Sequence, residues 1–336
     1  MRMPTGMARK LLAVSIIWVL LASLAGGCQP TNAEKAIGIA VEFNNHDACA
    51  YVAQAKGWFE EEGLKVLPVF QIHESGAAVA AAMARGDIQI GYMGLTAAIM
   101  LHARGIPIKI VAGIHQGGYG LAVRPGIKDV ADLENKTIGC LREGTVTDLL
   151  LNLMIAKYQL KDITVLRMSP PEEVLNLITG RLDGALIPEQ HATTAQSQGF
   201  PLLITSQDLW PDIPGDVLVV STGLIEDNPE LVRRLVKVTR KATAWINDHP
   251  DEAAEIMAVQ LQAAGEKIFP TRQAKNTVDL RITPEIMSRS MARLKYTTAI
   301  DAGAVQDIID RMVELGYVDE GTRATDILNL RYLEGE

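Results

Sequence analysis

Two short polar segments carry residue types that are suited to binding a small ligand. The first contains Gly144, Thr145 and Thr147, where glycine permits close backbone approach and the threonine hydroxyl groups can donate hydrogen bonds. A helix is predicted to begin there, and the unpaired N–H groups of a helix N-terminus attract an anionic or strongly polar group. The same residues are also typical of an ordinary helix cap, because threonine is a common N-cap residue. Both interpretations stay open at this point.

The second segment is Asn44-Asn45-His46, which follows the first predicted strand and precedes a helix. His46 is either a donor toward a ligand cleft or part of a capping turn. In open parallel sheets, ligands bind at the carboxyl ends of the strands. This rule selects further candidate ligand-binding residues at other strand ends: Met93, Gly94, Gly118, Tyr119, Glu189 and His191.

A metal site is a weaker interpretation of the same residues. His46, Glu189 and His191 could meet across a closed cleft, but they are scattered along the chain and lack the short spacing of metal ligands. We therefore predict no metal and no cofactor. Motifs of catalysis are missing too, since the chain has no GxSxG, no P-loop, no HExxH and no GxGxxG after a strand. We predict a protein that is not an enzyme and has no catalytic residue.

Alternating strands and helices must position these residues. Between residues 37 and 123 the pattern predicts strands at 37–41, 65–70, 88–92 and 108–114 and helices at 47–56, 76–84 and 96–103. The same order restarts after residue 136, with strands at 137–140, 164–168 and 184–187 and helices at 148–157 and 171–179. Such alternation is typical of mostly parallel sheets, and it predicts an α/β fold of two doubly wound lobes.

The lobes are predicted to be joined by a two-strand hinge. Extended runs at 119–123 and 217–221 lie beside turn residues, and they are the expected crossings. We assign residues 37–123 and 217–336 to lobe 1 and residues 124–216 to lobe 2. Helices that begin near Asn228, His249 and Thr283 are expected to return to lobe 1.

The N-terminus has the features of an export signal. Basic residues Arg2, Arg9 and Lys10 precede an uncharged run, 11–27, which ends in Leu-Ala-Gly-Gly before Cys28. This ending resembles a bacterial lipobox, in which the cysteine is acylated and the signal is cut before it. It predicts lipidation of Cys28, a polar tether over 28–36, and a membrane-anchored lipoprotein on the periplasmic side or the cell surface. Ordinary secretion and an uncleaved anchor are the alternatives.

Charge and cysteine content exclude some classes of partner. Removing residues 1–27 takes away three basic and no acidic residues, which leaves 29 basic against 40 acidic residues and a formal charge of −11. A nucleic-acid partner is therefore not expected. Cys49 and Cys140 are expected in different lobes, where a disulfide would lock the hinge, so we predict that both are buried and free. We expect a monomer.

The chain resembles the substrate-binding proteins of ABC importers, and most nearly those for nitrate, sulfonates, taurine and thiamine precursors. The residues that carry the resemblance are Asn45-His46-Asp47, the segment 51–64, Gly86-Asp87-Ile88-Gln89-Ile90-Gly91, Gly144-Thr145 and Gly180-Arg181-Leu182-Asp183-Gly184. The resemblance covers about residues 37–260. It implies a periplasmic binding protein type II fold that closes on one small molecule and delivers it to a membrane permease driven by a cytoplasmic ATPase.

The resemblance also implies a ligand, a small organic or inorganic anion similar to a sulfonate, taurine or nitrate. Gln89 stands where the family usually has aspartate, and the segment 187–191 is more polar than is common there. A histidine at the position of His46 also resembles fungal pyrimidine synthases of thiamine biosynthesis, whose cysteine-rich motif is absent here. A thiamine-pyrimidine precursor or another planar heterocycle is therefore the alternative ligand, and a sensor without transport is the alternative function.

Overall fold

The computed structural model of the protein describes residues 36–268 and 282–334. The predicted signal peptide, Cys28 and the tether up to residue 35 lie outside the described residues. Within the described ranges, no helix is both long enough and apolar enough to cross a membrane.

The strands of the described residues form two five-stranded sheets and one two-stranded sheet. They are β1 Ile39–Glu42, β2 Gln71–His73, β3 Ile90–Gly94, β4 Ile108–Gly113, β5 His115–Gly117, β6 Tyr119–Val123, β7 Thr137–Cys140, β8 Thr164–Arg167, β9 Gly184–Pro188, β10 Leu202–Thr205, β11 Asp216–Ser221 and β12 Leu294–Tyr296.

Helices follow most of these strands. They are α1 Ala48–Ala55, α2 Trp58–Glu61, α3 Gly76–Ala84, α4 Leu95–Ala103, α5 Val146–Tyr158, α6 Pro170–Ile178, α7 Glu189–Ser197, α8 Ser206–Leu209, α9 Thr222–Asp227, α10 Pro229–Asp248, α11 Pro250–Ile268, α12 Pro284–Met291, α13 Ala302–Glu314 and α14 Ala324–Ile327.

In each large sheet three neighbouring strands pair in parallel, and one strand, β11 in the first sheet and β6 in the second, pairs antiparallel with both of its neighbours. The first sheet has the order β2-β1-β3-β11-β4, with β1 parallel to β2 and β3, and β11 antiparallel to β3 and β4. The second has the order β10-β6-β9-β7-β8, with β7 parallel to β8 and β9. All four residues of β1 and all five of β9 are buried, as expected for strands covered on both faces.

The helix α10 shows how the sequence sets the local structure. The side chain of Asn228 accepts the N–H of Leu231 at 3.0 Å, and Pro229 occupies the first turn, where its missing N–H costs nothing. Leu231, Leu235 and Val238 are buried at spacings of three and four residues, so one face of the helix packs into the core.

Two crossings connect the sheets. The chain leaves the first sheet after β4, passes through β5, and enters the second sheet at β6; it returns between β10 and β11. An isolated antiparallel bridge joins the crossings at Gln116 and Pro214, and β5 also pairs with β12. Because β6 lies in the second sheet, residues 119–123 belong to the side that we had assigned to lobe 2. The lobe boundaries at 123 and 216 stay a prediction.

One predicted strand is wrong. The segment 65–70 is not a strand, since only Val66 pairs, in a single bridge with Ile37, and β2 begins later. Pro68 lacks the N–H that a ladder requires, and the neighbouring side chains of Leu67 and Val69 are exposed. The prediction that Cys49 and Cys140 are buried and free is confirmed.

Candidate ligand-binding site

A buried carboxylate occupies the carboxyl end of the first sheet. Glu42 ends β1, and its Oε1 accepts the backbone N–H of Gly94 at 2.9 Å, while its Oε2 accepts the side-chain N–H of Asn44 at 3.2 Å. A Cβ atom on Gly76, the first residue of α3, would lie only 2.5 Å from Oε1. The Glu42 carboxylate therefore lies against the N-termini of both α3 and α4.

This arrangement changes the electrostatics of the cleft. Burial raises the pKa of Glu42 well above its ordinary value, and the charge of Asp216 raises it further, while hydrogen bonds from Gly94 and Gly76 oppose the shift. Helix N-termini attract anions, but here the oxygens of the Glu42 carboxyl group already occupy the N-termini of α3 and α4. Met93 is fully buried in the core, so at this strand end Gly94 contributes through its backbone.

The asparagine pair holds the loop after β1 in place. The Asn44 Oδ1 accepts the N–H of His46 at 2.8 Å, which makes the capping turn that the sequence suggested as one alternative. The Asn45 side chain donates to Ser290 Oγ at 2.8 Å, and the Tyr296 hydroxyl donates to the Asn45 carbonyl at 2.8 Å. These contacts attach the loop to α12 and β12. A role of the two asparagines as ligand contacts stays a prediction.

His46 lies in a cluster of buried polar rings at the crossings. Its Nε2 donates to the Gly118 carbonyl at 2.9 Å, and its ring centroid is 4.1 Å from that of His115 and 5.1 Å from that of Tyr119. The Oδ1 of Asp216 lies 3.6 Å from His46 Nδ1 and 3.6 Å from His115 Nε2. The two histidines and Asp216 are at most 2% exposed.

Burial and hydrogen bonding set the charge states in this cluster. Burial lowers the pKa of His115 to about 4, and the neighbouring His46 lowers it as well. Burial would raise the pKa of Asp216, but hydrogen bonds and charge interactions with His115 and His46 outweigh it and hold that pKa below its ordinary value. Asp216 is therefore the ionised acid of the cleft.

The candidates on α7 are held by the C-terminal part of the chain. Glu189 Oε1 accepts from Arg293 at 2.5 Å and from the Thr193 hydroxyl at 2.9 Å. Burial raises the pKa of Glu189, with Arg293 opposing the shift, and burial lowers the pKa of His191 to about 4. Glu189 thus pairs with a protein cation, and its contact with a ligand stays a prediction.

The segment 144–147 forms a complete helix cap. Thr145 Oγ1 donates to the Arg142 carbonyl at 2.8 Å and accepts the N–H of Asp148 at 3.4 Å, while the Gly144 N–H donates to Asp148 Oδ2 at 3.1 Å. Thr147 Oγ1 lies 3.1 Å from Thr145 Oγ1. The structure gives the hydroxyl groups of both threonines a protein partner. Ligand binding by these residues stays a prediction.

A cavity of about 260 Å³ lies between the two sheets. It is lined by Glu74, Ser75, Leu141, Arg142, Arg167, Met168, Ser169 and Glu172. The Arg167 guanidinium donates to the Leu141 carbonyl at 2.7 Å and forms an ion pair with Asp148 at 2.6 Å. Among the residues that the structure describes, the Arg142 guanidinium has no hydrogen bond or ion pair. Ser75 precedes α3, and its hydroxyl does not cap that helix.

Several residues of this site escaped the sequence reasoning. Arg167 lies near the end of a predicted strand, and Ser75 directly precedes a predicted helix. The rule that ligands bind at the carboxyl ends of strands could therefore have selected both. Glu42 and Asp216 gave no signal, because an acidic residue at the end of an apolar run is usually a solvated one. The weaker metal interpretation grouped His46, Glu189 and His191, whereas the described residues bring together His46, His115 and Asp216.

Two α/β sheets joined by two crossings make up the described fold, and solved structures share it. The periplasmic nitrate-binding protein NrtA of Synechocystis PCC 6803 superposes with a TM-score of 0.73 at 14% identity, over 89% of this chain and 87% of that chain. This likeness confirms the predicted periplasmic binding protein type II fold.

The sequence relatives give the family. A Bacillus subtilis (strain 168) protein provisionally named an aliphatic sulfonates-binding protein is 27% identical over 282 residues, 81% of this chain and 82% of its own length. The taurine-binding periplasmic protein of Escherichia coli (strain K12) is 26% identical over 222 residues, 65% of this chain and 69% of its own length. The NMT1/THI5 like family matches residues 44–253, and the chain belongs to that family.

Membership of the NMT1/THI5 like family confirms the resemblance to substrate-binding proteins of ABC importers that the sequence motifs indicated. The relatives and structural neighbours are solute-binding proteins of importers, so the prediction that the chain is not an enzyme is confirmed. The chain is a substrate-binding component of an ABC import system, which implies a small-molecule ligand, a permease and an ATPase as partners.

Proposed function

We propose that this protein is a lipid-anchored, extracytoplasmic receptor that captures a small organic acid carrying hydrogen-bond donors at its other end and delivers it to the permease. The observation that carries the proposal is the cavity between the sheets. Arg142 lines this cavity, and its guanidinium has no partner among the described residues. A planar guanidinium binds sulfonate or carboxylate oxygens through two hydrogen bonds and is not easily replaced by lysine.

The deeper side of the cleft supports the second half of the proposal. Ser75, which lines the cavity, adjoins Gly76, and Gly76 lies against the Glu42 carboxylate. A ligand group that reached this depth would meet the oxygens of the Glu42 carboxyl group, which can accept hydrogen bonds from an ammonium or amino group. The names of the relatives include a taurine binder, and taurine has a sulfonate at one end and an ammonium at the other.

Closure would desolvate the ligand between two lobes. We propose that lobe 1 comprises residues 37–123 and 217–336 and that lobe 2 comprises residues 124–216. The closing motion of the lobes defines which strand of the first crossing is the hinge. A closed shape that differs from the open one lets the permease recognise the loaded receptor. Cys28, as the lipidated residue, would keep a monomeric receptor beside that permease.

The ligand proposal is tested with the processed protein, residues 28–336, in detergent. Taurine, ethanesulfonate and nitrate are compared by thermal shift and calorimetry, where a ligand at about 100 times its dissociation constant adds about 2.7 kcal/mol of stability. We expect affinity in the order taurine, ethanesulfonate, nitrate. Binding of an aminopyrimidine with no binding of any acid would refute the Arg142 argument and favour the planar heterocycle.

A matched pair of variants isolates the guanidinium. Arg142→Gln should weaken binding of the acid about 10- to 150-fold, the range for a lost charge-assisted hydrogen bond. Arg181→Gln removes an exposed arginine that does not line the cavity and should leave affinity unchanged. Equal affinity in the two variants would remove Arg142 from the site.

The anchor is tested separately in cells. Cys28→Ser, or an inhibitor of lipoprotein signal peptidase, should cause the longer precursor to accumulate in the membrane fraction. Mature protein that forms regardless would show ordinary secretion and contradict the lipid anchor.

A further inference from the structure

Three electron-pair donors face one another at the crossings between the two sheets. Asp216 begins β11, His115 begins β5, and His46 reaches them from the loop after β1. Asp216 Oδ1 lies 3.6 Å from a nitrogen of each histidine, and the candidate ligand atoms of the three side chains all lie within 4.8 Å of one another.

The hydrogen bonds around the cluster place the protons elsewhere. His46 Nε2 donates to the Gly118 carbonyl at 2.9 Å, so in the neutral ring the lone pair is on Nδ1, the atom that faces Asp216. The Asp216 N–H donates to His115 Nε2 at 3.0 Å, so that nitrogen also has no proton in the neutral ring. Lone pairs and a carboxylate oxygen at this separation repel unless a cation lies between them, and that cation can be a proton on one imidazole or a metal ion.

Two buried atoms of the cluster have no partner at all. Asp216 Oδ2 and His115 Nδ1 are both inaccessible to solvent and make no hydrogen bond with any described residue. Burial and the charge of Asp216 raise the pKa of both Glu42 and Asp47, so Asp216 is the acid of this group that stays ionised. None of these three acids forms an ion pair with a lysine or arginine of the described residues. A buried carboxylate that faces only imidazole rings needs a cation beside it, which can be a proton on a ring or a bound metal ion.

We propose that His46, His115 and Asp216 form a binding site for a divalent transition-metal ion of the zinc class. Two imidazole nitrogens and one carboxylate suit Zn²⁺, whereas Mg²⁺ and Ca²⁺ prefer oxygen ligands. Four-coordinate zinc with bonds of about 2.0–2.1 Å places its ligand atoms about 3.3 Å apart, a few tenths of an ångström inside the two observed separations. The bond from His46 to Gly118 is the outer-shell contact that fixes the ring of a metal-bound histidine.

Binding would have a mechanical consequence, because the ligands come from both crossings. An ion bound to His115 and Asp216 would join the outgoing and returning chain segments, and His46 would attach them to the start of α1. The contact between the Asp216 N–H and His115 Nε2 is the one that coordination would replace. The site is independent of the ligand in the inter-sheet cavity.

The test uses the full processed protein, stripped with a chelator and titrated with ZnCl₂ by calorimetry, with MgCl₂ as the comparison ion. We expect one Zn²⁺ per chain and no saturation by Mg²⁺. His46→Gln and Asp216→Asn should each weaken Zn²⁺ binding about 100-fold or more. His102→Gln, which removes an imidazole at the end of α4 outside the cluster, should bind like the wild type.

Three results would overturn the site. One is no saturation of the wild type by Zn²⁺ up to about 1 mM, the limit of useful affinity. Another is Zn²⁺ binding by a folded His46→Gln or Asp216→Asn variant that equals the wild type. If both variants fail to fold, Co²⁺ replaces Zn²⁺ in the wild type: the strong visible bands of a four-coordinate ion support the site, and the weak spectrum of the hydrated ion refutes it.

Discussion

Replacing Glu173 by glutamine should make the protein more stable at neutral pH and leave it unchanged in acid. Glu173 lies in α6, is fully buried, and neither of its carboxylate oxygens has a hydrogen-bond partner among the described residues. Burial raises the pKa of Glu173 well above its ordinary value, and the charge of Arg167 only partly opposes this shift. The carboxyl group therefore stays protonated in the folded chain at a pH where the unfolded chain has ionised it.

The sign and size of the effect follow from linkage. In the pH range just above the ordinary carboxyl pKa, the folded chain binds one proton more than the unfolded chain, so the free energy of unfolding falls as pH rises. The slope is at most about 1.4 kcal/mol per pH unit. Glutamine has nearly the same shape and no proton to lose, so Glu173→Gln removes this slope. The gain over the wild type should grow with pH from near zero at about pH 4.

The neighbouring residue provides a control of opposite sign. Glu172 accepts from the Ser169 N–H at 2.9 Å and from the Ser169 hydroxyl at 2.8 Å, and these hydrogen bonds lower its pKa. The stabilisation that the ionised Glu172 gives to the folded chain is present above the ordinary carboxyl pKa. It is lost as pH falls through the lowered pKa of Glu172. Glu172→Gln should therefore cost about 1 kcal/mol at neutral pH and less in acid.

The assay is the melting temperature of the three proteins between pH 4 and pH 8. In a chain of this size, 1 kcal/mol corresponds to a shift of about 2 °C. Diverging curves for Glu173→Gln and wild type, with the gap widening toward high pH, are expected. A Glu173→Gln variant that melts below the wild type at pH 7 would show that Glu173 is ionised and paired, and it would refute the reasoning.

Two further predictions test the crossings and α7. Gly215→Ala should destabilise the protein by about 1–3 kcal/mol, because the new Cβ would lie 2.0 Å from His115 Cε1 and force the ring to move. The matched change Gly223→Ala meets no atom within 4 Å in α9 and should be neutral or slightly stabilising; equal melting temperatures for the two variants would contradict the packing argument. His191 has its pKa lowered by burial to about 4. Stability should therefore fall as pH drops from about 6.5 toward 4, at up to about 1.4 kcal/mol per pH unit. His191→Gln should flatten this part of the melting curve, and a curve parallel to the wild type would show that His191 is not held neutral.

The alternation of strands and helices could be predicted because each element has its own local signal. The helix at 76–84 and the strand at 137–140 have the predicted bounds, and α10, α11 and α12 begin at proline residues that follow capping residues. The pairing of β5 with β12 could not be predicted, since it joins strands of three residues that are far apart in the chain. Short strands have too few residues to show a period.

The candidate site was predictable only where a strand end coincided with a polar residue. His46 and the segment around Gly118 were selected in this way, and the structure joins them through a hydrogen bond of 2.9 Å. Arg293 was not selected, although it pairs with Glu189, because that contact depends on how the C-terminal helices return to α7. Tertiary contacts between such distant positions leave no pattern in a single sequence.

The position of Glu42 decides which side of the cleft can hold an acid. Helix N-termini on the first sheet looked equivalent to those on the second when only the sequence was considered. In the structure, however, the Glu42 carboxylate receives the N–H of Gly94 and lies against Gly76, so the anion-attracting ends of α3 and α4 are already satisfied. The second sheet has the opposite character, since it contributes two guanidinium groups to the cavity and leaves Arg142 unpaired. An acid finds no free helix N-terminus beside Glu42 on the first sheet, whereas the Arg142 guanidinium on the second has no partner among the described residues. This asymmetry is the reason why we propose a ligand with an acid at one end and a hydrogen-bond donor at the other, held in one orientation.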